Sequence, residues 1–216
     1  VEKITTGRVL ARAWELVRWN PAMALAAFVL LTGISVLLDE VAQNGGPRMT
    51  IVDSMASLIG QYAVTRQLID GRWEPGSRPS ILPLIGLQLL STLAIGLGLV
   101  LLLIPGAILM VRWFPSVPVL MARNDGVIAA LTESWEMTRG SGVALFGTIC
   151  LIYAPIVACG FWLAWLGFSG EAEGGLVESL VSNLLITGGV LFGWYAAVAF
   201  CEVSAPPSDA LEEVFA

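Results

Sequence analysis

The sequence predicts an all-α, polytopic membrane protein, with about six transmembrane helices and two further amphipathic helices lying at the interface. Composition is the first reason: 13% of the 216 residues are charged and 56% are hydrophobic, whereas an ordinary soluble domain is about a quarter charged. Second, Ile81 to Met110 carries no charged residue, and roughly 20 apolar residues cross a bilayer core of about 30 Å. Third, a mean hydropathy of +0.81 leaves no stretch polar enough for a separate soluble domain. The chain therefore reads as one integral membrane domain, with an interfacial helix at 1–19, a helical bundle at 20–200 and a mobile acidic tail at 201–216.

The elements follow in order. Ile4, Val9, Leu10, Ala13, Leu16 and Val17 recur near helical spacing, with Arg8, Arg12, Glu15 and Arg18 on the other side. Trp14 and Trp19 beside those arginines fit a helix resting on an anionic leaflet. The same pattern fits a helix packed on the protein's own face, and both readings stand at this point. Pro21 to Leu38 reads as a first crossing that is retained rather than cleaved as a leader. A polar turn follows at Asp39–Glu40 and Gly45–Gly46–Pro47. Met49 to Ile69 is the most polar crossing, carrying Asp53, Gln61 and Arg66, and must face protein. Asp70 to Ser80 is a loop rich in Gly, Pro and Arg.

From Ile81 to Met121 a single helix would extend about 60 Å at 1.5 Å per residue, twice the bilayer. Ile104–Pro105–Gly106 is the natural break, giving a tight hairpin of two spans at 82–103 and 106–122. Pro115 and Pro118 kink the second. Asn124–Asp125–Gly126 closes it, with Asp125 the expected N-cap of an amphipathic helix from Val127 to Arg139. Val127, Ala130, Leu131, Ser134, Trp135 and Thr138 form one face of that helix, while Thr132, Glu133 and Glu136 form the other. Gly140–Ser141–Gly142 ends it. Two spans remain, at 143–166 and 176–200, separated by an acidic loop with Glu171 and Glu173.

Charge placement sets the orientation. With the N-terminus inside, Lys3, Arg8, Arg12, Arg18, Arg66, Arg72, Arg78, Arg123 and Arg139 all fall on the cytoplasmic side, and the outer loops keep only Arg48. The positive-inside rule asks for this asymmetry. A bacterial inner (plasma) membrane protein with both termini cytoplasmic is the expectation.

Arg112 is left inside a span, where a charge costs roughly 2.5–3.5 kcal/mol. Counting residues inward from the outer ends of their spans places Asp53 and Arg112 at depths within about 3 Å of each other. The expectation is an Arg112–Asp53 pair near the outer leaflet, or a guanidinium on a lipid phosphate. Asp53, Gln61, Gln88, Arg112 and Asn183 are the candidate intramembrane polar site, and Arg8, Arg12, Trp14, Arg18, Trp19 and Trp135 are the candidate interfacial residues. Gly96, Gly98, Gly188, Gly189 and Gly193 let helices approach closely. Cys150, Cys159 and Cys201 are expected as packing residues; the first two lie about 13 Å apart along one helix, too far for a disulfide.

The chain holds no histidine, the commonest general base and transition-metal ligand. It also has no G-x-S-x-G elbow, no P-loop and no H-E-x-x-H motif. No catalytic, cofactor-binding or metal-ligating residue is expected, and no cofactor.

One segment carries a resemblance. Ile104–Pro105–Gly106, Val111–Arg112–Trp113 and the run from Ala130 to Gly140 (ALTESWEMTRG) stand in sequence between Leu102 and Gly147. Together this segment resembles the membrane domain attached to some bacterial glycerophosphoryl diester phosphodiesterases, and related multi-spanning proteins. The resemblance implies a helical membrane domain. It places the phosphodiesterase chemistry in a separate soluble barrel that depends on histidine and metal, so this chain corresponds to the membrane part alone. The expected function is a non-enzymatic module that binds membrane lipids, anionic ones among them, or an envelope protein or a second copy of itself, with no nucleic acid. The alternative is a small oligomeric transporter, for which the polar residues on different spans would have to line one path.

Overall fold

The computed structural model describes residues 4–43, 50–70, 81–123, 125–169 and 176–204. Among them all regular structure is helical: α1 (Thr6–Trp19), α2 (Pro21–Gln43), α3 (Thr50–Asp70), α4 (Ile81–Leu101), α5 (Leu103–Trp113), α6 (Ser116–Arg123), α7 (Val127–Met137), α8 (Gly142–Ser169) and α9 (Leu176–Ser204). Five stretches are long and apolar enough to cross a membrane: Pro21–Ala42, Ile81–Leu101, Leu103–Arg123, Gly142–Trp165 and Val177–Ser204. The protein is an all-α polytopic membrane protein. The expected polar crossing is present as α3, whose 21 residues match a span in length; Asp53, Gln61 and Arg66 keep it out of the apolar five. The expected turn at Gly45–Gly46–Pro47, the loop at 71–80, Asn124, the acidic loop with Glu171 and Glu173, and residues 205–216 lie outside the described residues.

The bundle is organised around its last helix. Tyr195, Ala196, Val198, Ala199 and Phe200 of α9 are all buried, and α1, α2, α3, α6 and α8 pack around them. Small residues make this possible. A Cβ on Gly189 would meet Ile156, and one on Gly193 would meet the Tyr153 hydroxyl at 2.8 Å, so α8 and α9 touch closely there. Gly96 has open space around it and marks no such contact. At one end Asp39 ties α2 to α9, accepting from Asn183 Nδ2 at 2.7 Å and Ser179 Oγ at 3.0 Å.

At the other end α1 lies across the bundle. Its expected apolar stripe is real: Val9, Ala13 and Leu16 are fully buried, with each buried Val or Leu worth about 1.5–3 kcal/mol against water. The stripe faces protein, which decides between the two sequence readings. Trp14 and Trp19 remain about half exposed on the outer side. Thr5 caps the helix through Arg8 N. Thr6 Oγ1 donates to the Ala144 carbonyl at 2.8 Å, and Arg12 Nε reaches Glu202 at 2.7 Å. Glu15 and Glu202 together raise the Arg12 guanidinium above its ordinary pKa, chiefly through their hydrogen bonds. The contact with Glu202 also shows that the helical bundle runs past 200: residues 201–204 belong to α9 and not to a mobile tail.

Three local expectations change. The α4–α5 turn falls at Leu102, which is extended (φ −155°), and not at 104–106. Pro105 therefore sits in the first turn of α5, where its missing N–H costs nothing. The kink expected at Pro115 is a full break, with Phe114–Pro115 separating α5 from α6. Helix α7 is led by Gly126 in a left-handed conformation (φ 95°) that disfavours a side chain, so Asp125 is not its N-cap, and the helix stops at Met137 rather than Arg139.

The arginines gather at one end: Arg8, Arg12, Arg18, Arg66, Arg123 and Arg139 belong to helix ends and loops on the α1 side, where Glu15, Asp70, Glu133, Glu136 and Glu202 also lie, and the opposite end holds Asp39, Glu40, Asp53 and Glu178. Glu133 and Glu136, on the other face of α7, pair with Arg123 at 2.6 Å and Arg139 at 3.3 Å.

Candidate functional site

Arg112 ends α5, and α7 lies beside it. A helix leaves its last carbonyls without partners, and here each helix supplies a cap for the other. Ser134 Oγ donates to the Arg112 carbonyl at 2.7 Å. In return Arg112 Nη1 makes long contacts to the Trp135 carbonyl at 3.5 Å and to Thr138 Oγ1 at 3.4 Å. Thr138 Oγ1 donates back to the Ser134 carbonyl at 2.9 Å. The guanidinium carbon stands 5.2 Å from the centroid of the Trp135 ring, within cation–π range.

These partners are neutral. Among the described residues no carboxylate lies within ion-pair distance of Arg112, and its Nε and Nη2 atoms make no hydrogen bond. That edge of a guanidinium is the planar fork that binds two oxygens of a phosphate or carboxylate.

The arginine lines a cleft of about 610 Å³ between α5 and the start of α8. Leu103, Ile104, Ala107, Ile108 and Val111 form one wall, and Val143 and Phe146 the other. Gly140 and Gly142 complete the lining, and Arg112 is its one charged residue. Gly140 has φ 88°, a backbone that favours glycine and brings the chain directly into α8. The first-turn N–H groups of α8 have no intrahelical partner and carry the positive end of the helix dipole. The cleft thus joins apolar walls to two sources of positive potential.

The other candidates are elsewhere. Asp53 does not pair with Arg112; it accepts from Ser35 Oγ at 2.6 Å, linking α3 to α2. A depth counted from 106 holds only if the α4–α5 tip reaches the Asp53 end, whereas Leu103 and Ile104 lie beside Gly142 and Val143, and Arg112 meets α7. Asn183 binds Asp39 at the opposite end. Gln61 is half-buried on α3 and Gln88 is exposed on α4. No hydrogen bond among the described residues joins any two of the five. Of the interfacial candidates, Arg12 binds α9 and Trp135 joins Arg112, while Arg8, Trp14, Arg18 and Trp19 lie on the exposed face of α1.

The sequence places Ser134 and Thr138 on one face of α7 and Gly140 and Gly142 at its end, but gives none of them, nor Val143 or Phe146, a role in the site. A signal for the first two was present: they are the polar members of the otherwise apolar face of α7, four residues apart. Polar groups in such a stripe need partners, and Arg112 supplies them.

No known protein family, curated protein or solved structure matches the chain.

Proposed function

We propose that this chain is a non-enzymatic membrane module that binds an anionic lipid, its phosphate on Arg112 and an acyl chain along the α5–α8 cleft. The observation that carries the reading is the combination in one cleft of apolar walls, an arginine with no carboxylate partner among the described residues and a helix N-terminus. Lipid phosphates match the open guanidinium edge, and acyl chains match Leu103, Ile108 and Phe146. The α1 side faces the cytoplasm of a bacterial inner membrane in this reading, supported by the segregation of arginines to that end. The transporter alternative draws no comparable support, because its five polar residues form no connected path.

Native mass spectrometry from a mild detergent tests the reading, comparing wild type with Arg112→Ala and with Ile108→Ala as a cleft-wall variant. The expected result is a retained phospholipid on wild type that is lost from Arg112→Ala and reduced in Ile108→Ala. Equal lipid retention by wild type and Arg112→Ala, or none by wild type, rejects it.

A further inference from the structure

We propose that α4 and α5 form a re-entrant hairpin that enters and leaves the membrane on the α1 side and ends within the acyl chains of that leaflet. Both helices are long and apolar enough, with the α6 extension, to count as crossings. Their position argues otherwise. The first turn of α8 is fixed at the depth of α1 by the Thr6–Ala144 hydrogen bond. Leu103 and Ile104, at the hairpin tip, share a cleft with Gly142, Val143 and Phe146 of that same turn and the next. A tip that had crossed about 30 Å of bilayer would lie beside α8 residues some 20 positions further on, at 1.5 Å per residue. That region of α8 is uncovered, with Trp162 and Trp165 exposed.

The turn is also built for hydrocarbon. Residues 100–106 read VLLLIPG, with no polar side chain, and Val100, Leu102 and Ile104 are 84%, 67% and 73% exposed. Backbone at membrane depth must satisfy its own polar groups. Here Leu102 N donates to Gly98 O at 3.0 Å, Gly106 N donates to Leu102 O at 3.4 Å, and Pro105 has no N–H to satisfy, which leaves the Leu103 and Ile104 N–H groups as the tip donors without a partner among the described residues. Gly98 and Gly106 let the two backbones touch: a Cβ on Gly98 would lie 2.9 Å from Gly106 Cα. A loop emerging into the opposite headgroup region would need none of this. The tip's partner is the acyl-chain layer of the α1-side leaflet, and four helices (α2, α3, α8 and α9) make the crossings. The inference is independent of whether Arg112 holds a phosphate.

The test is depth. Val100→Cys and Ile104→Cys, whose exposed side chains pack against no core residue, are made separately in a Cys150→Ala background, since Cys159 and Cys201 are buried. Each is labelled with a nitroxide and reconstituted into phosphatidylethanolamine–phosphatidylglycerol vesicles. Arg18→Cys marks the α1 side, and Ile51→Cys, at an exposed position, marks the opposite end. Collision with oxygen against a water-soluble nickel chelate reports depth. The expected labels at 100 and 104 are oxygen-favoured, shielded from chelate, and located in the half of the bilayer marked by position 18. Location in the half marked by position 51, or exposure to chelate on either side, overturns the proposal.

Discussion

Arg112 and Ser134 bind across the α5–α7 contact in both directions: the serine hydroxyl holds the arginine's carbonyl at 2.7 Å, and the arginine side chain reaches the carbonyl next to the serine at 3.5 Å. The two helices thereby terminate each other, and the break at Phe114–Pro115 makes room for it. The short bond carries the structural part of this arrangement, because the arginine's own contacts are long.

Ser134→Ala therefore destabilises the protein by about 1–2 kcal/mol, through the carbonyl it strands. Arg112→Lys keeps the charge and loses the flat contact with Trp135, for a smaller cost of about 0.5–1 kcal/mol. Reversible unfolding in detergent measures both. A larger loss in Arg112→Lys than in Ser134→Ala would contradict this division of roles.

Two glycines differ in what an added methyl group meets. At Gly106 it strikes the backbone nitrogen and side chain of Leu99, which are held by α4. At Gly189 it meets first the Cδ1 tip of the Ile156 side chain, a flexible end rather than backbone. Gly106→Ala is expected to cost about 1–3 kcal/mol from overpacking, and Gly189→Ala visibly less. Thermal melts of the two variants side by side check the order.

The α2–α9 tie makes a third expectation. Asn183→Leu removes a donor to the Asp39 carboxylate, and Asp39→Ala removes the acceptor. Each destabilises by about 1 kcal/mol, since Asp39 is exposed to solvent or headgroups and part of the bond is replaced there. The double variant loses less than the sum of the singles, because the Asp39–Asn183 bond is lost in both, while Asp39 also accepts from Ser179 Oγ and Asn183 Nδ2 also donates to Ser179 O. Fully additive losses would show that the Asp39–Asn183 bond contributes nothing.

The sequence exposes those parts of the fold that depend on local pattern. The stripe Val9, Ala13 and Leu16 marks the buried face of α1, and Pro115 marks the end of α5. What it does not expose is where the α4–α5 tip lies. A residue count from 106 assigns Arg112 a depth only if that tip reaches the Asp53 end, and Leu103 and Ile104 instead lie beside Gly142 and Val143. The cleft is hidden for the same reason: its walls come from segments separated by the whole of α6 and α7. Asp125 shows the limit of composition, because its side chain suits an N-cap while the backbone at Gly126 places the cap one residue later.

Helix α1 is anchored to Ala144 and Glu202, at sequence separations of 138 and 190 residues. During synthesis it leaves the ribosome before either partner exists. Until α8 and α9 have been made, Val9, Ala13 and Leu16 lack the protein surface that buries them, and a nearby leaflet is the apolar environment on hand. Helix α1 thus waits on α8 and α9, translated after it, to complete the site in which it docks.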